Sequence, residues 1–151
     1  MVAAYASRPG EPATQELIET LRAADVAVLL PVLGPLPDWS WYAGPEHLVT
    51  GRRGILQPDG PALGTDALAR ADFIWLPGLA GTPDGRRLGT GGGWYDRALA
   101  SARPDAPRGL LLFDTEVLDD VPTDAWDQPV DLLVTERRRI DCGNSRDGVR
   151  S

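Results

Sequence analysis

The sequence predicts an α/β fold: a single three-layer domain in which a mainly parallel open sheet is flanked by helices, Rossmann-like in organisation. Three observations predict it. A chain of 151 residues with 42% hydrophobic content suits one domain with a sizeable core. Its opening reads strand, amphipathic helix, strand, the signature of a parallel α/β sheet. The third apolar segment, residues 26–32, is apolar without alternation, as a strand covered on both faces is.

The elements follow in order. Residues 2–6 form an apolar run that ends in Ser7-Arg8-Pro9-Gly10, a strand entering a turn. Leu17, Ile18 and Leu21 recur at helical spacing behind Thr14, which suits an N-cap. Residues 34–62 are irregular and carry Pro35, Pro37, Pro45, Pro58 and Pro61. Within them Trp39 and Trp41 alternate with Ser40, which fits a short strand; these aromatics read either as core packing or as ligand contacts. A helical turn is predicted over 63–69, a buried strand over 73–76 ended by Pro77-Gly78, and a helix over 94–103. Strands over 109–113 and 130–134 flank an acidic connection containing Pro122. The domain is thus predicted to span 1–136 with five strands, besides the short one at 39–41, and three helices, followed by a flexible tail over 137–151. There is no internal repeat and no linker.

Composition narrows the function classes. A net charge of −7 argues against general nucleic-acid or membrane-surface binding, so an anionic ligand needs a local positive site. All 15 basic residues are arginine, so no lysine serves a phosphate or a Schiff base. Cys142 is the sole cysteine; no intrachain disulfide forms, and a cytoplasmic location is expected. His47 is the sole histidine, placed in a turn after Gly44-Pro45, with nothing beside it that resembles a nucleophile site. One Cys and one His do not make a zinc centre. The apolar stretch 26–33 is too short to cross a bilayer, and no signal-peptide pattern opens the chain.

Residues 86–97 carry the chemistry: Arg-Arg-Leu-Gly-Thr-Gly-Gly-Gly-Trp-Tyr-Asp-Arg. Glycine lets a backbone approach a ligand closely and take positive φ, so its amides can face phosphate oxygens. The loop lies just past the carboxyl end of strand 73–76, the edge where open α/β sheets bind ligands. It has neither the G-x-G-x-x-G spacing nor a Walker A ending, so it reads as a phosphate cradle or as a structural turn. Asp96, beside the loop, and Asp127, ahead of the last strand, are candidate Mg²⁺ ligands, since Mg²⁺ takes one or two carboxylates plus phosphate oxygens. Either is also ordinary surface acid. Glu11 would lie across from the loop if the strands 2–6 and 73–76 are neighbours; otherwise it reads as capping the following helix.

These residues resemble the signature of the 5-formyltetrahydrofolate cyclo-ligase (methenyltetrahydrofolate synthetase) family. The matching segments are Leu76-Pro77-Gly78-Leu79-Ala80 and the run from Gly85 through Arg97. Tyr5-Ala6-Ser7 with Gly10-Glu11, then Gly54-Ile55-Leu56-Gln57-Pro58, then Val121-Pro122, Asp127, Val130-Asp131 and Val134-Thr135-Glu136 match in the same order. The resemblance implies ATP-dependent closure of 5-formyltetrahydrofolate to 5,10-methenyltetrahydrofolate. ATP phosphorylates the formyl oxygen, the folate's own N10 attacks, and ADP and phosphate are released. It implies an ATP site at Arg87, Leu88, Gly89, Thr90, Gly91, Gly92, Gly93, Trp94 and Tyr95, with Arg87 and Tyr95 catalytic. It implies folate contacts at Ala6, Glu11 and residues 90–94 and Mg²⁺ on Asp96 and Asp127; for the chain itself a monomer or weak homodimer is expected.

Three departures accompany the resemblance. This chain opens on the first strand, where the family carries a preceding basic helix that touches ATP; Thr90 stands where the loop usually holds arginine; and Gly81-Thr82 replaces Phe-Asp. They set two rival expectations beside the enzyme: a weakly active member that only binds folate or nucleotide, and an interaction module marked by an exposed aromatic patch at 39–42.

Overall fold

A computed structural model describes residues 1–143. Seven strands form one sheet: β1 (Val2–Ala3), β2 (Val28–Val32), β3 (Asp38–Trp41), β6 (Phe73–Leu76), β9 (Arg108–Leu111), β10 (Leu132–Val134) and β11 (Arg139–Asp141). Their spatial order is β11-β10-β9-β6-β1-β2-β3. The five inner strands run parallel, and both edge strands, β3 and β11, are antiparallel. Two small antiparallel ribbons lie outside the sheet: β4 (Leu48–Thr50) with β5 (Leu56–Pro58), and β7 (Ala80–Gly81) with β8 (Arg87–Leu88).

Side-chain alternation sorts the core into two faces. Ala4, Val28 and Leu30 meet Ile18 of helix α1 (Gln15–Ala23) on one face. Ala3, Leu29, Ile74, Leu76, Leu110 and Leu133 meet Ala98 and Leu99 of helix α2 (Trp94–Leu99) and the short 3₁₀ segment Thr65–Arg70 on the other. Helix, sheet and helix therefore stack as three layers, with fewer and shorter helices than the fold class usually carries. Among the described residues, no helix is long and apolar enough to cross a membrane.

Several expectations change in the tertiary structure. The helix predicted over 94–103 stops at Leu99, because Pro104 excludes Arg103 from helical backbone and the chain tightens into turns at Ser101 and Ala102. The tail predicted to be flexible from 137 instead returns as β11. Thr135 closes that hairpin: its hydroxyl accepts the Arg137 and Arg138 amides at 3.1 Å, and its own amide donates to the Arg138 carbonyl at 2.9 Å. The rest of the tail, from 144 on, lies outside the described residues. Trp39 and Tyr42 are buried, so no exposed aromatic patch exists at 39–42. Thr14 occupies the N-cap position of α1 without capping it. Its buried hydroxyl donates to the Tyr5 carbonyl at 2.6 Å and accepts the Ser7 amide at 3.0 Å, closing the turn that follows β1.

Candidate active site

The carboxyl ends of β1 and β6 lie side by side, since the two strands pair in parallel register. From β1 the chain turns through 5–14; from β6 it enters the β7–β8 hairpin and then the glycine loop. The adjacency that would set Glu11 across from the loop is therefore present. Both line a cavity of about 250 Å³, together with Tyr5 and Ala6. Glu11 does not cap α1; its Oε1 accepts the Arg8 amide at 2.6 Å.

A second cavity, of about 300 Å³, opens on the other side of the loop. Asp96 and Asp127 both line it, with Trp126 and the loop backbone. Arg87, Gly89, Thr90, Trp94 and Tyr95 line both cavities, so this segment is a partition between them. Among the described residues, the amides of 89–93 donate to no other protein group, which leaves them available to an oxyanion. Gly91 (φ 101°) and Gly93 (φ 69°) hold left-handed backbone that a side chain would strain.

Arg87 comes from β8 and is only 7% exposed. Its Nη2 lies 3.5 Å from Asp96 Oδ1, its Nη1 donates to the Pro77 carbonyl at 3.3 Å, and its guanidinium stands 5.9 Å from the Tyr95 ring centre. Trp94 packs edge-on to Tyr95 at 4.8 Å and against the buried Trp39 at 5.5 Å, which fixes both aromatic rings of the partition. Burial, with a smaller contribution from Tyr5, pushes the Tyr95 phenol above its ordinary range, opposed by Arg87. The Tyr95 hydroxyl therefore keeps its proton at neutral pH.

Asp96 Oδ1 also accepts the Gln128 amide at 3.1 Å, across 32 residues of sequence, and this contact draws the loop carrying Asp127 against α2. Asp127 Oδ2 accepts the Asp124 amide at 2.6 Å. Each carboxylate thus retains an oxygen, Asp96 Oδ2 and Asp127 Oδ1, without a protein partner among the described residues. No group of three or more His, Cys, Asp or Glu residues fit to hold a metal occurs among them. Mg²⁺ needs only one or two carboxylates beside phosphate and water, so the pair suits it.

The wall of the first cavity includes residues that the motif reading passed over. Arg52 and Arg53 reach it from the turn between β4 and β5 and Arg8 from the turn after β1, while Arg97, the last residue of the motif, reaches it from α2. Arg97 Nη1 donates to the Gly92 carbonyl at 2.8 Å, so a cation stands beside the loop although position 90 is threonine. The sequence signal for Arg52-Arg53 was their bracketing by Gly51 and Gly54; Arg53 itself adopts left-handed backbone at φ 58°. His47 and Cys142 line neither cavity.

Comparison with known proteins identifies the family. The profile of the 5-formyltetrahydrofolate cyclo-ligase family matches residues 1–136. A 5-formyltetrahydrofolate cyclo-ligase of Mycolicibacterium smegmatis is 36% identical over 146 residues, covering 92% of this chain and 75% of the relative. The enzyme of that name from Escherichia coli K12 is 35% identical over 140 residues, covering 89% and 76%. The solved structure of Aquifex aeolicus 5,10-methenyltetrahydrofolate synthetase superposes with a TM-score of 0.77 at 32% identity, over 97% of this chain and 73% of that one. With the profile running from β1 through the glycine loop to the turn after β10, the chain belongs to the 5-formyltetrahydrofolate cyclo-ligase family of enzymes.

Proposed function

We propose that this chain uses ATP and Mg²⁺ to convert 5-formyltetrahydrofolate to 5,10-methenyltetrahydrofolate, releasing ADP and phosphate. The observation that supports it is the shared wall. A phosphoryl transfer between two bound substrates needs two sites that meet at one point, and residues 87–95 border two cavities at once. The formyl-folate takes the first cavity, where Glu11 offers two acceptor oxygens to adjacent N–H groups of a pterin ring and Ala6 lies beside it. The nucleotide takes the second, with its phosphates on the amides of 89–93.

Asp96 and Asp127 would hold Mg²⁺, which when bound neutralises phosphate charge and orients the phosphates. The residues of the partition do the rest. The formyl oxygen forms a bond to the γ-phosphorus, and the bridging P–O bond breaks with its electron pair on ADP. Arg87, held between Asp96 and Tyr95, places fixed positive charge at the transferring group. The folate N10 then bonds to the formyl carbon, the C–O bond breaks with its pair on phosphate, and the N10 proton leaves with that phosphate. The attacking atom belongs to the substrate, so neither His47 nor Cys142 is required.

The test is direct. Incubation with 5-formyltetrahydrofolate and Mg·ATP is expected to produce methenyltetrahydrofolate, followed by its absorbance, with one ADP per product. Absence of product at high enzyme concentration would overturn the assignment.

A further inference from the structure

The residues lining the first cavity carry a set of buried polar atoms that the protein leaves unpaired. Tyr5 is 4% exposed and lines the first cavity, and its hydroxyl has no hydrogen-bond partner. The same is true of Arg87 Nε and Trp94 Nε1, buried atoms on residues that border both cavities. Burying a hydroxyl without a partner is costly, so native proteins seldom leave one orphaned without a use. Arg87 Nε and Trp94 Nε1 are donors only and cannot accept the phenolic proton. Three such donors on residues that line one cavity suit a ligand group rich in acceptor lone pairs.

Resting on the function proposed above, we infer that Tyr5 is a further catalytic residue, whose hydroxyl donates to a phosphoryl oxygen once the phosphoryl group sits on the formyl oxygen. The position fits that moment. Tyr5 lines only the folate cavity, whereas Arg87 and Trp94 face both, so the phosphoryl group meets Tyr5 after it has crossed from the nucleotide. Donation at that stage does not weaken the formyl oxygen as a nucleophile. It stabilises the negative charge that grows on phosphate as N10 bonds to carbon and the C–O bond breaks. Burial, then the charges of Glu11 and Glu116, push the Tyr5 phenol well above its ordinary range, which keeps its proton in place. Thr14 supports the geometry by donating to the Tyr5 carbonyl at 2.6 Å.

The test is Tyr5→Phe, with Trp94→Phe beside it, assayed with 5-formyltetrahydrofolate and Mg·ATP. For Tyr5→Phe, kcat is expected to fall on the order of 10²-fold with KM for both substrates nearly unchanged. Inhibition by inorganic phosphate is expected to weaken, while the melting temperature of the free protein holds or rises, because an unpartnered buried hydroxyl has been removed. Trp94→Phe is expected to lower kcat in the same sense. A Tyr5→Phe protein with wild-type kcat overturns the proposal, as does one whose melting temperature falls in step with its activity. Wild-type protein that makes no product would instead overturn the function itself.

Discussion

Arg87 and Asp96, nine residues apart, meet at 3.5 Å beneath the glycine loop, one from a strand and the other from the first turn of a helix. Their side chains are 7% and 16% exposed, so the pair sits in a partly desolvated setting where a lost partner is felt. Arg87→Lys keeps the charge and loses the planar fork that faces Asp96 and Tyr95 at once. The expected outcome is a fall in kcat of about 10²-fold with a small change in melting temperature, read by the product absorbance assay and circular dichroism.

The two proposed metal carboxylates differ in their surroundings, and this separates their variants. Asp96 braces both Arg87 and the Gln128 amide, whereas Asp127 bonds only its own turn at Asp124. Asp127→Asn is expected to raise the Mg²⁺ concentration needed for half-maximal activity while leaving the melting temperature near wild type. Asp96→Asn is expected to raise the same requirement and also to destabilise by about 1–3 kcal/mol, because buried Arg87 loses its ion pair. Mg²⁺ titration of activity beside thermal melts distinguishes the two.

Gly81 tests the hairpin that delivers Arg87. A Cβ there would stand 2.9 Å from Leu110 Cδ2 and 3.1 Å from Leu112 Cδ1, against the main core. Gly81→Ala is therefore expected to overpack that contact at a cost of about 1–3 kcal/mol, seen as a melting temperature lower by several degrees.

Cys142 gives a pH-dependent readout. Burial, followed by the charges of Asp131, Asp84 and Asp141, pushes its thiol up to about 11. The folded state thus favours the neutral thiol. That preference is fully present below the ordinary thiol pKa and is lost as pH rises through the folded value. Modification by a thiol-specific reagent is expected to be slow at pH 7–8 and to accelerate steeply toward pH 11, while a denatured sample reacts readily near pH 8.5, the ordinary thiol value. Equal rates for folded and denatured protein at pH 8 would contradict it.

Much of the site was legible because its information is local. The glycines around Thr90, the aromatic pair Trp94-Tyr95 and the adjoining Asp96 lie in one uninterrupted run, so they stood out as a candidate site without a fold. The strand at Phe73–Leu76 was legible for the same reason, a short apolar run stopped by Pro77-Gly78. Strand β11 was not, because only Ile140 in it is apolar and the order comes from the Thr135 turn and from pairing with β10. Arg52 and Arg53 escaped notice because nothing in an irregular, proline-rich stretch says which way its turn will face.

By itself the sequence determined the α/β class and the family resemblance, and it marked residues 86–97 as a candidate phosphate cradle, since each depends on residue type and short-range spacing. Only the tertiary structure decided that β1 lies beside β6, that the Gln128 amide ties Asp127's loop to Asp96, and that one loop walls two cavities. Those outcomes rest on strand pairing and on hydrogen bonds between residues far apart in the chain. Such contacts form only when burial of both sheet faces brings the segments together, and local pattern carries no record of them.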